Sequence, residues 1–301
     1  MTEKRKSTEI QEIANSCIER WGEDSKTKNF SLKLGRFVSQ LGSNVTLGKV
    51  LLDLIKHYNY YSREHIDQIL IAFYQFVVSE LKLDESYTIY SRIEDDSKID
   101  SSNSFLEEFK ILNDISNHFS YDIEKLDLID FDQIKNVIFL DDIIGSGKTV
   151  ERFFNMNKEK LLKVNCYIFC IELLIDGKEY LENYFKENGF ECEIFYHNIH
   201  LKAFSDKHIF GEHYKINEEL LREFERGLWK RDSNNILGFE NSQAIVSFFR
   251  NTPNNTLSSF WFKNNKWEGL FPRNDKKPAF KKVKKNAAKY NVSKMEKLAG
   301  G

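Results

Sequence analysis

The chain has 301 residues, which is enough for about two domains with an ample hydrophobic core. A formal charge of −2 at pH 7 argues against a global attraction to nucleic acid, and 30% charged with 14% aromatic residues indicate a folded chain. The first residues contain no apolar signal region and no run of 18 apolar residues occurs, so we expect a cytoplasmic protein with no membrane partner.

The first part of the chain has the apolar spacing of helices. Ile66, Ile69 and Phe73 recur at three- and four-residue intervals. Ser62 precedes them as a hydroxyl residue suited to cap a helix N-terminus. We predict a helical accessory domain over residues 1–82, and we find no catalytic constellation in it.

Residues 83–214 alternate between strand and helix patterns. The predicted elements are strand 87–91, helix 104–112, strand 137–140, strand 164–174, helix 178–188 and strand 192–196. Short connections between such elements require right-handed parallel crossovers. We therefore predict an α/β fold with a parallel, doubly wound sheet, preceded by the helical domain and followed by an aromatic-rich C-terminal extension.

The stretch from Val137 to Thr149 organises the rest of the chain. It reads Val-Ile-Phe-Leu-Asp-Asp-Ile-Ile-Gly-Ser-Gly-Lys-Thr. The four leading apolar residues are typical of a strand buried on both faces, so Asp141 and Asp142 fall at its carboxyl end, where open α/β sheets bind ligands. The glycine-rich turn that follows precedes a helix, and the amides of a helix N-terminus favour a phosphate.

A Walker A loop is one interpretation of this turn. That loop requires a glycine five residues before Gly147, and the chain has Asp142 there, whose charge would repel phosphates. An ordinary strand-to-helix turn that contains two acids and two glycines is another interpretation.

A third interpretation fits every position better. The 13 residues resemble the phosphoribosyl pyrophosphate (PRPP) motif of type I phosphoribosyltransferases, with four apolar residues, two acids, two apolar residues and a hydroxyl- and glycine-rich loop ending in threonine. The resemblance implies that Asp141 and Asp142 are catalytic and hold the ribose hydroxyls, directly or through Mg²⁺. It also implies that the 5′-phosphate binds to the loop residues Gly145, Ser146, Gly147, Lys148 and Thr149.

One position departs from the hypoxanthine–guanine enzymes, which the form Asp-Ile-Ile-x-Ser-Gly-Lys-Thr resembles especially. Those enzymes carry an aspartate beside the nucleobase where this chain has Gly145. Because glycine cannot exchange a proton with a ring nitrogen, purine salvage is put in doubt.

A polar segment at residues 92–103 lies between the first predicted strand of the sheet and its helix. In type I phosphoribosyltransferases the corresponding element carries a flexible pyrophosphate-binding loop. The donors that would serve here are Ser91, Arg92, Lys98, Ser101 and Ser102. A solvated acidic loop explains the same composition.

Residues 215–275 form the predicted C-terminal helical and aromatic subdomain. An amphipathic helix is expected over 216–231, and a second helix is expected to end at Arg250. The run at 251–257 is rich in residues that reverse the chain, and aromatic residues cluster behind it. These aromatics are able to stack on a base, but we favour a role in the core.

The PRPP motif, the Ala203-Phe204-Ser205 segment and the ending at 251–273 together resemble the PRTase-CE family of bacterial conflict and antiphage systems, which includes retron effectors. The resemblance covers residues 8–273 and implies a PRPP-dependent transferase or a nucleotide-sensing effector. The retron link implies a reverse transcriptase–RNA/DNA complex as a partner. The basic tail at 276–301, with nine lysines and one acid, is where such a partner would bind, although a solvated tail has the same composition.

The function expected from the sequence is Mg²⁺-assisted transfer of a phosphoribosyl group to a nucleobase or nucleotide acceptor, with release of pyrophosphate. Asp141 and Asp142 would stabilise an oxocarbenium-like ribose. The alternative is a non-catalytic module that senses PRPP or a nucleotide and regulates a partner. A third hypothesis is an ATPase that depends on Lys148.

Overall fold

Between residues 83 and 214, the helices and strands of the computed structural model follow the predicted order. The structure describes residues 3–93, 101–206, 208–230 and 233–273. The helices are α1 (Glu3–Trp21), α2 (Phe30–Ser39), α3 (Val45–Lys56), α4 (Arg63–Phe76), α5 (Ser101–Leu112), α6 (Lys148–Met156), α7 (Lys158–Leu161), α8 (Ile175–Asn188) and α9 (Tyr214–Trp229). The strands are β1 (Asn59–Tyr61), β2 (Thr88–Arg92), β3 (Asn136–Ile144), β4 (Asn165–Leu174), β5 (Cys192–His200) and β6 (Val246–Phe248).

The main sheet contains parallel strands in the order β2-β3-β4-β5. Ser120 adds a parallel bridge to Tyr90 on the edge of β2 that faces away from β3. After β2 the chain therefore passes first to one side of this strand, at Ser120, and then to its other side, where β3 lies. Ligands bind to open α/β sheets at such a switch in strand order. The buried strand forms as predicted, but it continues to Ile144 and so includes Asp141 and Asp142.

Helices cover both faces of this sheet. On one face, residues of α4 and α5, among them Phe109, belong to the same buried hydrophobic cluster as Ile138 of β3. On the other face, Phe154 of α6 lies 5.8 Å from Phe139 of β3 and 4.8 Å from Phe185 of α8 between ring centroids. Ile138 and Phe139 serve opposite faces because successive strand residues alternate. The predicted α/β class with a doubly wound parallel sheet is confirmed.

The three N-terminal helices α1, α2 and α3 share a third hydrophobic cluster with the C-terminal segment. Its centre is aromatic. Phe271 stacks on Tyr58 and Tyr60 at centroid distances of 5.5 and 5.1 Å, and the ring of Trp21 meets it at 6.0 Å. A small parallel sheet of β1 and β6 joins the same two parts of the chain. The core role favoured for the C-terminal aromatics is confirmed.

The helix expected to end at Arg250 is wrong, because residues Val246–Phe248 form strand β6. A short apolar run does not distinguish a buried strand from a helix by its periodicity. Here the pairing partner decides, since β6 lies in register with β1 and the Ser247 hydroxyl lies 2.7 Å from the Tyr58 hydroxyl.

One fully buried carboxylate connects the two sheets. Glu172 of β4 accepts hydrogen bonds from the Asn59 amide at 3.0 Å and from the Tyr61 hydroxyl at 2.5 Å, both in β1. From β5, the Asn198 amide donates at 3.2 Å, and His200 Nδ1 lies 2.7 Å from the second carboxylate oxygen. Burial, together with the nearby carboxylate, raises the pKa of Tyr61, so its phenol stays a donor. A buried charge requires such partners, and these partners fix β1 against the main sheet.

Replacing Glu172 by alanine should lower the free energy of unfolding by about 3 kcal/mol or more, because buried donors of Asn59, Tyr61 and Asn198 lose their acceptor. Urea denaturation measures this change. Glu193→Ala, on the exposed side of neighbouring β5, is the control and should stay within about 0.5 kcal/mol of the parent. Similar losses for both variants would show that Glu172 does not hold the sheets together.

Some predictions are not addressed by these elements. Lys98 and the basic tail at 276–301 lie outside the described residues. The domain boundaries after residues 82, 214 and 275 stay predictions. In the parts of the chain that the structure describes, no helix combines the length and apolar character needed to cross a membrane.

Candidate active site

The PRPP-like motif lies in a cleft at the carboxyl end of β3. Residues 141–150 form one wall of a cavity of about 150 Å³. The facing wall comes from the C-terminal segment and consists of Phe239, Asn251, Pro253, Asn254, Asn255 and Arg273. The motif therefore borders a cavity and is not sealed in the protein interior.

Both aspartates of the motif line this cleft. Asp141 Oδ1 accepts the backbone N–H of Asp142 at 2.8 Å, and Asp142 Oδ1 accepts that of Ile143 at 2.9 Å. These bonds orient the two carboxyl groups. Behind them, burial and the neighbouring carboxylates raise the pKa of the Cys170 thiol, which stays neutral.

The turn after the aspartates has the backbone geometry of an anion site. Gly147 is the N-cap of α6 and adopts a left-handed conformation with φ 79°, which favours glycine. A Cβ at this position would also approach Leu181 Cγ to 2.8 Å. The Ser146 hydroxyl accepts the first amide of α6, that of Lys148, at a long 3.5 Å. The first three residues of α6 line the cleft, so the positive end of the helix dipole lies at its edge.

The polar side chains of the turn have protein partners. Ser146 Oγ donates to Glu240 at 3.2 Å. The Lys148 ammonium donates to Glu151 at 3.1 Å and to the Tyr180 hydroxyl, and it lies 4.0 Å from the centroid of the Tyr180 ring. These hydrogen bonds, with Tyr180 first, raise the pKa of Lys148. The Walker interpretation requires this ammonium to contact phosphate, and the observed partners on the helix surface do not support it.

Backbone hydrogen bonds fix the facing wall. The Asn255 carbonyl accepts from Ala244 N at 3.1 Å and from Ser242 Oγ at 2.8 Å. The Asn254 carbonyl accepts from Phe239 N at 2.7 Å. These hydrogen bonds fix the backbone of the wall at residues 254 and 255. The turn-forming character of this run was evident in the sequence, but its place in the cleft was not.

A guanidinium completes this wall. Arg273 lines the cleft, donates to the Thr252 carbonyl at 3.2 Å and lies 5.9 Å from the centroid of the Trp261 ring. Arg273 is not recognisable as a site residue from the sequence, because only folding brings positions 273 and 141 to the same cleft.

The segment that carries Glu240 to the turn has an unusual backbone. Leu237, Glu240, Asn241 and Gln243 all have φ between 53° and 60°, a region that non-glycine residues seldom occupy. The buried carboxylate of Glu225 stabilises the start of this segment by accepting the Leu237 amide at 2.6 Å. Such strain is typical of functional sites, where the surrounding structure compensates for it.

Three chain segments meet at Gly145 with no room for a side chain. A Cβ on Gly145 would lie 2.2 Å from Asn255 Nδ2. A Cβ on Gly177, in the first turn of α8, would lie 2.1 Å from the Gly145 carbonyl oxygen. The close packing of these three segments therefore depends on two glycines and one asparagine.

The weaker candidates for a pyrophosphate loop lie elsewhere. Ser91 is fully buried in β2, and Arg92 Nε lies 3.4 Å from Asp122 Oδ1 in a separate surface hollow. Ser101 and Ser102 fall in the first turn of α5, and their side chains are outside the described part. A pyrophosphate role for these residues stays a prediction.

This chain belongs to the PRTase-CE family, a phosphoribosyltransferase-like family whose pattern matches residues 34–273. No curated protein matches the chain significantly. Among solved structures it is similar to the Helicobacter pylori xanthine-guanine-hypoxanthine phosphoribosyltransferase, with 10% identity over 55% of this chain and 97% of the other and a TM-score of 0.32. It is also similar to the AQ2163 protein of Aquifex aeolicus, with 15% identity over 56% and 82% and a TM-score of 0.32.

Gly177→Ala should destabilise the protein by about 1–3 kcal/mol, because the new methyl group would push α8 away from the Gly145 carbonyl. Thermal unfolding measures the loss. Gly227→Ala is the control, since a methyl group in the last turn of α9 meets nothing within 4 Å and improves helix propensity. Equal melting temperatures for the two variants would refute the close approach of α8 to the turn.

Proposed function

We propose that the protein binds PRPP and transfers its phosphoribosyl group in a Mg²⁺-dependent reaction that releases pyrophosphate. The observation that carries this proposal is the common cleft shared by Asp141, Asp142 and the N-terminus of α6. A ribose 5-phosphate unit has vicinal hydroxyls at one end and a phosphate at the other. Carboxylates suit the hydroxyls, and the helix amides suit the phosphate.

In the proposed reaction the bond between ribose C1 and the pyrophosphate oxygen breaks, and its electron pair leaves with pyrophosphate. A lone pair of the acceptor forms the new bond to C1, and any proton on the attacking atom passes to water. Positive charge develops on the sugar as the bond breaks. The negative charges of Asp141 and Asp142 stabilise that cation in a site whose carboxyl groups are already oriented. Among the described residues that line the cleft, Arg273 carries a guanidinium, a group suited to binding the pyrophosphate.

The donor set fits Mg²⁺, which prefers oxygen ligands and commonly bridges substrate phosphates. Within the described residues, no cluster of three or more acidic, histidine or cysteine side chains is placed to hold a metal by itself. Mg²⁺ would therefore take its other ligands from the substrate and water, with Asp141 and Asp142 as the protein residues nearby. When bound, it would neutralise charge on the leaving pyrophosphate.

A non-catalytic sensor of PRPP or nucleotides is the second candidate. It is favoured by the absence of a carboxylate or imidazole at position 145, where the described wall offers the Asn255 amide instead. Either function would suit an antiphage effector whose partner is a reverse transcriptase–RNA/DNA complex. That partnership is part of the proposal and rests on the family resemblance.

The double variant Asp141→Asn with Asp142→Asn should reduce pyrophosphate release from PRPP by about 100-fold or more, because the developing cation loses its countercharges. Release is measured during incubation with Mg²⁺ and a panel of bases, nucleotides and nucleic acids, with products identified by mass spectrometry. The charge-matched control is Glu187→Gln with Glu191→Gln, on the exposed end of α8 and the loop after it. Undiminished pyrophosphate release by a folded Asp141/Asp142 variant would refute the proposed catalytic activity at this site.

The same panel separates the two candidates. A sensor would be stabilised by PRPP against thermal unfolding and would release no pyrophosphate with any acceptor. The variant Lys148→Met distinguishes the ATPase hypothesis from PRPP binding. We expect its affinity for PRPP to stay within about threefold of the parent, because the ammonium already has protein partners. ATP hydrolysis that is lost in this variant would favour the ATPase instead.

A further inference from the structure

The side-chain space of position 145 is filled from another part of the chain. Asn255 Nδ2 lies 2.2 Å from the point where a Cβ on Gly145 would stand, and Asn255 Cγ lies 3.1 Å from it. Both residues line the cleft. The group that position 145 presents to a ligand is therefore the carboxamide of a residue 110 positions later.

The turn that carries this carboxamide is fixed by backbone hydrogen bonds. The Asn255 carbonyl accepts two hydrogen bonds, from Ala244 and Ser242, and the next residue, Thr256, bridges to Ala244. The Thr256 hydroxyl also donates to the Val246 carbonyl at 2.6 Å. A side chain on so firmly anchored a turn loses little freedom when it binds a ligand, which is the condition for selective recognition.

In the proposed binding mode, three parts of a ribose phosphate contact different parts of the cleft: its hydroxyls, its phosphate and the substituent on C1. With the hydroxyls at the aspartates and the phosphate at α6, the substituent on ribose C1 faces the remaining wall. Of the described residues, that wall consists of Ile93, Phe239, Asn255 and its neighbours in the 251–255 turn, and Arg273. Asn255 is the member of this wall that touches the β3–α6 turn.

We propose that Asn255 is a specificity-determining residue that reads the group attached to ribose C1. This inference rests on the proposed function and names its substrate class. An amide offers one donor and one acceptor side by side, and it neither takes nor gives a proton at neutral pH. The matching ligand is a neutral nitrogen heterocycle with an amide-like edge. Its attacking nitrogen must carry its own lone pair, since Asn255 does not deprotonate it.

The first test asks whether Asn255 and position 145 share one space. Gly145→Ala should lower the melting temperature by about 5 °C, because its methyl group overlaps the Asn255 amide. Adding Asn255→Ala removes the amide and should restore most of that loss. Gly35→Ala, in a helix with nothing within 4 Å, is the matched control and should have no such effect. Losses that simply add in the double variant would overturn the shared space.

The second test measures specificity by calorimetry, with ribose 5-phosphate and the five nucleoside 5′-monophosphates AMP, GMP, IMP, UMP and CMP as probes. The unmodified protein should bind at least one nucleotide more tightly than ribose 5-phosphate. Asn255→Ala should weaken that nucleotide by about three- to tenfold, the effect of one lost hydrogen bond, and leave ribose 5-phosphate within about twofold. The control variant Asn234→Ala, at an exposed position 21 residues before Asn255, should change neither the nucleotide affinity nor the ribose 5-phosphate affinity.

The outcomes separate this inference from the proposed function. If the protein binds neither ribose 5-phosphate nor any nucleotide, the proposed function fails and the role of Asn255 fails with it. If it binds ribose 5-phosphate but prefers no nucleotide, or if Asn255→Ala weakens all probes equally, only the specificity role of Asn255 is overturned. Selective loss of one nucleotide supports both.

Discussion

The close contact of three backbone segments at Gly145 is the constraint on which the site depends. The turn after β3 passes between the first turn of α8 and the amide of Asn255, and ideal Cβ atoms on Gly145 or Gly177 would come within 2.2 Å of a neighbour. The overlap at position 177 is with a backbone oxygen and excludes a side chain there, whereas a side chain at position 145 would have to displace the Asn255 amide. The contact brings the acids, the helix N-terminus and the C-terminal wall around one cleft.

The rest of the molecule supports that contact from behind. The C-terminal wall belongs to a segment whose aromatic residues, such as Phe271, pack with Trp21 and the N-terminal helices. Glu172 fixes the small β1–β6 sheet, and with it the start of the 251–255 turn, against β4 and β5. The N-terminal helices therefore do more than accompany the sheet, because they complete the core on which one wall of the site rests.

The sequence predicted the sheet, its parallel order and the β3–α6 motif because these depend on local patterns. Four apolar residues, two acids and a glycine turn are adjacent in the chain, and strand–helix alternation permits few topologies. It did not predict β6, since a three-residue strand exists only through its pairing with β1. It did not indicate Arg273 and Asn255 as residues of the cleft. Folding places them in the same cleft as residues more than 100 positions earlier, and no local pattern in the sequence records this.

The central claim is that one ribose phosphate occupies both walls of the cleft at once. Hydrogen–deuterium exchange with and without PRPP and Mg²⁺ tests it most directly. The account expects slower exchange in the peptides that cover 141–150 and 251–255 together, since ligand would bridge the α6 amides and the facing turn. Slower exchange confined to other peptides, or none at saturating PRPP, would contradict it.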